Sequence, residues 1–390
     1  MPGRVSASAE RRGPRSTSLA VVGAGLVLLG LVLTFVVPRP VGGSPDRAVA
    51  ASADRAAHPA VGHVFVINIE NKGYRTLWGA HSAAPYLART LRAQGVLLPH
   101  YYGTAHHSLG NYLAQISGQG PDYAIQHDCP TYTRFRETRP VAAHGQVVGN
   151  GCVYPQQVRT LPRQLTAAGL GWRGYMEDMG TPCQHPRLGA RDPWQKATAR
   201  SQYATRHNPF VYFRSITAHP AYCKAHVKAL SALTADLKHA STTRAFTYLT
   251  PDLCHDAHDA HCADGGPGGL RAANAWAKRW VPKILASPAF SQDGVLVITS
   301  DESEGVTVDS QACCGEGVGP NAGQPGIDGP GGGRLGALVI SRFSTPGTTS
   351  TRSYNHYSLL GTVEDLFGLP RLGYARSVAY TFGADVFNAS

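Results

Sequence analysis

Short apolar runs alternate along most of this chain with stretches whose apolar positions recur at helical spacing. Residues Val64 to Ile69, Gly174 to Glu177, Ala245 to Leu249, Val295 to Ser300 and Leu335 to Ser341 are short and largely apolar, and read as strands. Between them, Pro85 to Gln94, Ser108 to Ser117, Leu161 to Ala168, Ala221 to His239, Leu270 to Ala286 and Tyr357 to Phe367 read as helices. Strands that alternate with helices predict an α/β fold, a three-layer α/β/α sandwich around a mostly parallel sheet. Residues 61–390 form one such domain, with no second linker inside it.

The beginning of the chain follows another pattern. Arginines 4, 11, 12 and 15 crowd residues 1–17, and an uncharged apolar run fills 18–37. That run is long enough to cross a bilayer with the arginines held inside, as a retained anchor, or to serve as the core of a cleaved signal. Residues 38–60, rich in Pro, Gly and Ala, read as a linker. Either reading makes the protein exported, extracellular or held on the outer face of the cytoplasmic membrane.

Cysteine usage agrees with export. All 8 cysteines lie beyond residue 60, and an even number in an exported domain predicts disulfides. Cys313 and Cys314 are adjacent, and the strain of a bridge between neighbours predicts separate partners for them. The formal net charge of +11 falls to +7 once the seven arginines and three acids of residues 1–60 are set aside, a balance compatible with an anionic substrate or surface. No basic run has interleaved aromatics, which argues against nucleic acid as a partner.

Candidate chemistry sits at the strand ends. Glu70 and Asn71 follow the first strand, and Asp301 and Glu302 follow the run 295–300. In an open α/β sheet the carboxyl ends of strands are where ligands bind. Adjacent acids at a buried strand end repel each other unless a cation stands between them, and an all-oxygen set suits calcium, magnesium or manganese. Glu304 is an alternative member of that set. Ser108 opens a helix, where a serine is commonly an N-cap and where the dipole also stabilises an alkoxide or a phosphate. Asn111 lies one turn on, within reach of a bound oxyanion. His255 and His258, in a His-rich loop between Cys254 and Cys262, are candidates to protonate a leaving group, and His356 is a weaker candidate of the same kind. A required histidinium predicts activity greatest below about pH 6.5. His207 and His226 read as surface residues. No Gly-x-Ser-x-Gly elbow, phosphate-binding Gly-x-x-x-x-Gly-Lys-Ser/Thr loop or His-Glu-x-x-His motif occurs.

Five segments in order resemble the phosphoesterase family of bacterial acid phosphatases and phospholipases C, within the alkaline-phosphatase-like superfamily: Glu70-Asn71-Lys72-Gly73-Tyr74, Ser108-Leu109-Gly110-Asn111-Tyr112, Pro251 through Asp259, Asp301-Glu302, and Tyr354-Asn355-His356-Tyr357. The resemblance implies a nucleophile at Ser108, one divalent metal held by Glu70, Asn71, Asp301 and Glu302, and phosphate contacts from histidines such as His255 and His258. The sequence departs from the family pattern at Gly110 and at His106-His107, where prolines are expected. The function implied is hydrolysis of a phosphate ester or a phospholipid. An acid-phosphatase-like monoesterase is the leading reading and a phospholipase C-type diesterase the alternative; a non-catalytic surface protein that binds phosphate or lipid is the rival from another class.

Overall fold

The strand predictions converge on one sheet. In the computed structural model, which describes residues 58–315 and 318–389, seven strands pair: β1 (His63–Ile69), β2 (Val96–Leu98), β3 (Trp172–Met176), β4 (Val227–Ala229), β5 (Phe246–Thr250), β6 (Gly294–Ser300) and β7 (Ala337–Ser341). Their spatial order is β2-β7-β6-β1-β5-β3-β4. β6, β1, β5, β3 and β4 run parallel, while β7 is antiparallel to both β6 and β2. The fold is therefore α/β with a mostly parallel sheet.

The period-2 alternation of β1 sorts its side chains between two layers. Val64 and Val66 join Val295 and Val297 in a core completed by α1 (Ser108–Ser117), α2 (Leu161–Ala167) and α4 (His356–Leu366). Phe65 and Ile67 face the other way and meet Trp276, Trp280, Val281 and Ile284 of α3 (Gly269–Leu285). With both faces covered, every residue of β6 is buried.

Two expectations need correction. The helix predicted over Ala221 to His239 is broken. It comprises a helix at Pro220–His226, then β4, then a 3-10 turn at Leu230–Ala232 and a further helical turn at Leu233–Asp236. Periodicity could not anticipate this, because β4 gains its hydrogen bonds from β3, with Gly174 opposite Val227, and tertiary pairing overrides local helix preference. The adjacent cysteines also differ from expectation: Cys313 and Cys314 bridge each other. The other six are paired as Cys129–Cys152, Cys183–Cys223 and Cys254–Cys262, so no separate partner remains for either. Among the described residues no helix is long and apolar enough to cross a membrane, and the apolar run at 18–37 lies outside them.

Candidate functional site

Strand register explains why the two acidic tips meet. β1 and β6 pair in parallel up to Ile69 opposite Ser300, so the next residues, Glu70-Asn71 and Asp301-Glu302, leave adjacent strands side by side. The amide N–H of Asn71 donates to Asp301 Oδ1 at 3.0 Å, and its side-chain Nδ2 donates to Glu302 Oε1 at 3.1 Å. Asn71 has φ 46°, in the left-handed region, where Asn is tolerated better than most residues; this turn aims its amide back over the sheet edge.

Ser108 is delivered from above by α1. His107, and not Ser108, occupies the N-cap position, so Ser108 is the first helical residue and its hydroxyl is free of any capping duty. Its Oγ donates to Glu70 Oε2 at 2.9 Å, and Glu302 Oε1 lies 3.2 Å away. The hydroxyl of Tyr112, one turn along, donates to Glu70 Oε1.

The amide of Asn111 does not face this group. Its Oδ1 accepts from the backbone of Thr104 at 2.8 Å and Ala105 at 3.0 Å, and its Nδ2 donates to Ala105 O at 2.8 Å. Asn111 thereby ties down the loop that leads into Ser108. Asn111→Ala leaves two buried N–H groups without acceptors, at about 1–3 kcal/mol each. The expected result is a drop of about 2–6 kcal/mol in unfolding free energy from urea melts, accompanied by loss of turnover. Glycine at 110 has a packing reason, because a Cβ there would stand 2.9 Å from the Ala105 Cβ of the same loop.

His356 lies beneath the site. Gln115 Nε2, which can only donate, approaches its Nδ1 at 3.1 Å, so Nδ1 is the acceptor. Nε2 then carries the hydrogen and donates to the carbonyl of Asp301 at 2.6 Å. Burial, only partly opposed by that bond, lowers its pKa to about 4, which matches a neutral ring. A capping box between Asn355 and Ser358 fixes the helix start that carries it. In this position His356 holds the Asp301 backbone.

Three groups escaped the sequence reading. His207 is buried, contrary to the surface placement expected for it, and stacks on Tyr112 with ring centroids 5.3 Å apart. Its Nε2 lies 3.2 Å from Glu70 and its Nδ1 3.6 Å from Asp256. Burial, reinforced by the charge of Arg206, pushes its pKa well below the ordinary histidine value. It arrives on an isolated 3-10 turn, Thr205–His207, with no periodic pattern to mark it. Asp256 is buried in the His-rich loop, and its carbonyl accepts from the Glu70 N–H at 2.6 Å. His106 bonds Glu302 through Nδ1 and the Asp309 carbonyl through Nε2. Both partners are acceptors, so both ring nitrogens carry hydrogen; although burial works against the charge, Glu302 holds the pKa of His106 above its ordinary value. His226, the other histidine read as surface, is half-buried against Trp172.

Burial pushes the carboxyls of Glu70, Asp256, Asp301 and Glu302 to higher pKa. Asn71 Oδ1, Asp301 Oδ2 and Asp256 Oδ2 are buried without hydrogen-bond partners. Orphaned oxygens aimed into a cluster of carboxylates have the chemistry of a divalent-cation site, which Glu70, Asn71, Asp301 and Glu302 fit. Glu70, His207 and Asp256 also present ligand atoms within 4.8 Å of one another. Glu304 is exposed and stands away, against Gly73.

His255 and His258 are not drawn into this cluster: neither bonds to Ser108, Glu70, Asp301 or Glu302. His255 Nδ1 lies 2.9 Å from Asp252 and 3.2 Å from Glu177, and those two carboxylates, Asp252 foremost, raise its pKa to about 10. His258 pairs with Asp259 at 2.7 Å and is exposed.

The description Phosphoesterase family matches residues 80–370, most of the domain. The chain belongs to that family. Its span takes in Ser108, the His-rich loop, Asp301-Glu302 and His356, while Glu70 and Asn71 precede it. The chain is similar to the phosphatidylinositol-3-phosphatase of Mycobacterium tuberculosis, 24% identical over 92% of this chain and 93% of the other. It is also similar to the phosphate-repressible acid phosphatase of Penicillium chrysogenum, 24% identical over 73% of this chain, and to an acid phosphatase of Aspergillus fumigatus, 23% identical over 79%. Of those two fungal proteins it spans only 54% and 55% of the length. Among solved structures, a Vibrio parahaemolyticus protein of the alkaline phosphatase superfamily is 12% identical with a TM-score of 0.47, over 80% of this chain and 67% of that one.

Proposed function

We propose that this protein is an exported phosphoric ester hydrolase in which Ser108 is the nucleophile. The observation that carries the reading is the bond from Ser108 Oγ to Glu70 Oε2 inside a buried ring of carboxylates with orphaned oxygens. Glu70, Asn71, Asp301 and Glu302 would hold one divalent cation, and when bound it supplies positive charge that favours the serine alkoxide and polarises a phosphoryl group. Glu70 is placed to accept the Ser108 proton as the Oγ–P bond forms and the P–O bond to the alcohol breaks. The departing alcohol takes up a proton, and water then cleaves the phosphoserine to release phosphate and restore the hydroxyl. His258, exposed in the His-rich loop, is the candidate donor of that proton, with His255 of the same loop the other.

A donor to the leaving group matters only where the alcohol needs a proton. His258→Gln is expected to slow an alkyl phosphate by about 100-fold and p-nitrophenyl phosphate very little, because nitrophenolate departs unprotonated. Equal effects on both esters would remove His258 from that role.

The raised pKa of His255 changes the pH expectation. The ring stays charged through neutral pH, so no loss of activity near pH 6.5 is expected from it. In the fold this pair contributes stability that is fully present below the unfolded pKa of about 6.5 and is lost as pH rises through about 10. The difference in melting temperature between wild type and His255→Gln should therefore shrink from pH 6 to pH 10.5, and a constant difference would contradict the ion pair.

The substrate class is a phosphate monoester, in keeping with relatives named as phosphatases, one of them acting on a phosphatidylinositol phosphate. A phospholipase C-type diesterase is the competing assignment. Parallel assays of p-nitrophenyl phosphate and p-nitrophenylphosphorylcholine, with and without chelator, test the proposal. Preference for the first supports a monoesterase, preference for the second a diesterase, and hydrolysis of neither by folded, metal-loaded protein refutes the assignment.

A further inference from the structure

Arg206 precedes His207 on the 3-10 turn Thr205–His207, and the chemistry assigned above gives it no part. The turn is firmly held. Thr205 Oγ1 donates to Asp192 Oδ1 at 2.9 Å, Gln195 Nε2 donates to Asp192 Oδ2 at 2.9 Å, and the Gln195 carbonyl accepts from Arg206 Nη1 at 2.8 Å. A long, flexible side chain is thereby fixed in one place, at 11% exposure.

Two routes of contact lead from this turn to the nucleophile. His207 Nε2 lies 3.2 Å from Glu70 Oε2, the oxygen that accepts from Ser108 Oγ. Arg206 Nε lies 3.6 Å from Asp128 Oδ2, and Asp128 Oδ1 accepts from the Leu109 N–H at 2.9 Å. Leu109 directly follows Ser108 at the start of α1, so a single carboxylate separates the guanidinium from the backbone beside the nucleophile. The charge of Arg206 reaches across the same space: it acts on Glu70 and Asp256 and helps to lower the pKa of His207.

The donors of this arginine are mostly unspent. A guanidinium carries five N–H groups, and among the described residues this one makes a single hydrogen bond, through Nη1. At 3.6 Å the Asp128 contact is an ion pair beyond hydrogen-bond range, which leaves Nε and Nη2 uncommitted. Enclosed donors ordinarily find acceptors, and a planar fork matches phosphate oxygens in both charge and geometry.

We infer that Arg206 binds two oxygens of the phosphoryl group transferred to Ser108, and that this fork makes the site prefer monoesters to diesters. The inference rests on the esterase reading of Ser108 and adds to it the residue that sets the substrate class. The preference follows from counting oxygens. A monoester phosphoryl group has three unesterified oxygens and a diester two. With one of them turned toward the carboxylate ring that would hold the cation, two remain for the guanidinium in the first case and one in the second. Arg206 exchanges no proton in the step; it stabilises the charge on those oxygens while the Oγ–P bond forms and the P–O bond to the alcohol breaks.

Arg206→Lys keeps the positive charge and loses the fork. It is expected to lower kcat/KM on p-nitrophenyl phosphate by about 100-fold or more, and on p-nitrophenylphosphorylcholine by about 10-fold or less. Guanidinium added at millimolar concentration to Arg206→Ala should restore the monoester rate more than the diester rate. Equal falls on the two esters would overturn the inference, whatever the melting temperature of the variant, because a merely structural loss does not distinguish them. A second measurement does not need turnover. In Ser108→Ala protein with manganese, calorimetry should show inorganic phosphate binding weakened by about 10-fold or more when Arg206→Lys is added, and unchanged affinity would also overturn it. Turnover retained by Ser108→Ala, with the ester-dependent effect of Arg206→Lys intact, would refute the nucleophile and keep Arg206 as the phosphoryl ligand. An inactive Ser108→Ala with a flat Arg206→Lys profile would remove Arg206 alone.

Discussion

Replacing Ser108 by alanine is expected to lower kcat on p-nitrophenyl phosphate by about 1,000-fold or more, with the fold retained. The size follows from what the hydroxyl does in the proposal: it is the atom that attacks phosphorus, and no other hydroxyl bonds Glu70 from the same position. Tyr112 also donates to Glu70, but through a phenol whose pKa is pushed far up by burial and by the neighbouring carboxylates, so it is a poor substitute. Stability should change little, since Glu70 keeps Tyr112 and His207 beside it. Single-turnover experiments sharpen the test. Wild type quenched in acid should retain label from a phosphoryl-labelled ester on Ser108, and the alanine protein should retain none. A variant that kept a tenth of the activity would make Ser108 a positioning group and require another nucleophile.

The second large effect concerns charge. Glu70, Asp256, Asp301 and Glu302 are all buried; His106 bonds Glu302, and the charge of Arg206 acts on Glu70 and Asp256. Ionised together, the carboxylates repel in a region that water cannot screen well. Chelation should therefore abolish turnover and lower the melting temperature by several degrees. A divalent ion at about 100 times its Kd contributes about 2.7 kcal/mol to the folded state. Asp301→Asn separates this from a purely structural role. The amide is uncharged and nearly isosteric, so the metal-free variant should melt no lower than metal-free wild type, and its melting temperature should fail to rise when manganese, magnesium or calcium is added. Calorimetry gives both readings. A variant that melts well below the metal-free wild type would show that the Asp301 charge stabilises the fold by itself, and a normal metal response would remove Asp301 from the ligand set.

Much of the fold was legible because buried parallel strands have a strong local signature. The runs at 64–69 and 295–300 are β1 and β6 almost to the residue, and the acids that follow them lie at a strand edge wherever the strands go. α1 and α4 were also legible, from helical periodicity in residues buried along their whole length or nearly so. β4 was not, since three residues carry too little pattern to oppose a helical neighbourhood, and only β3 supplies their partners. His207 was invisible for a related reason: its segment has no period, and its burial comes from Tyr112, Glu70 and Asp256, which are distant in sequence. The pairing of Cys313 with Cys314 likewise depended on where the other six cysteines met.

The chain by itself determined which residue types follow which strand ends, because residue type and apolar periodicity are local properties. Register was decided only in three dimensions. The pairing of Ile69 with Ser300 sets Glu70-Asn71 against Asp301-Glu302, and α1 lowers Ser108 onto them. The same packing turned Asn111 and His356 into supports, since a buried amide and a buried imidazole must satisfy their hydrogen bonds where they lie, and the nearest partners were backbone groups of the loops that hold the site.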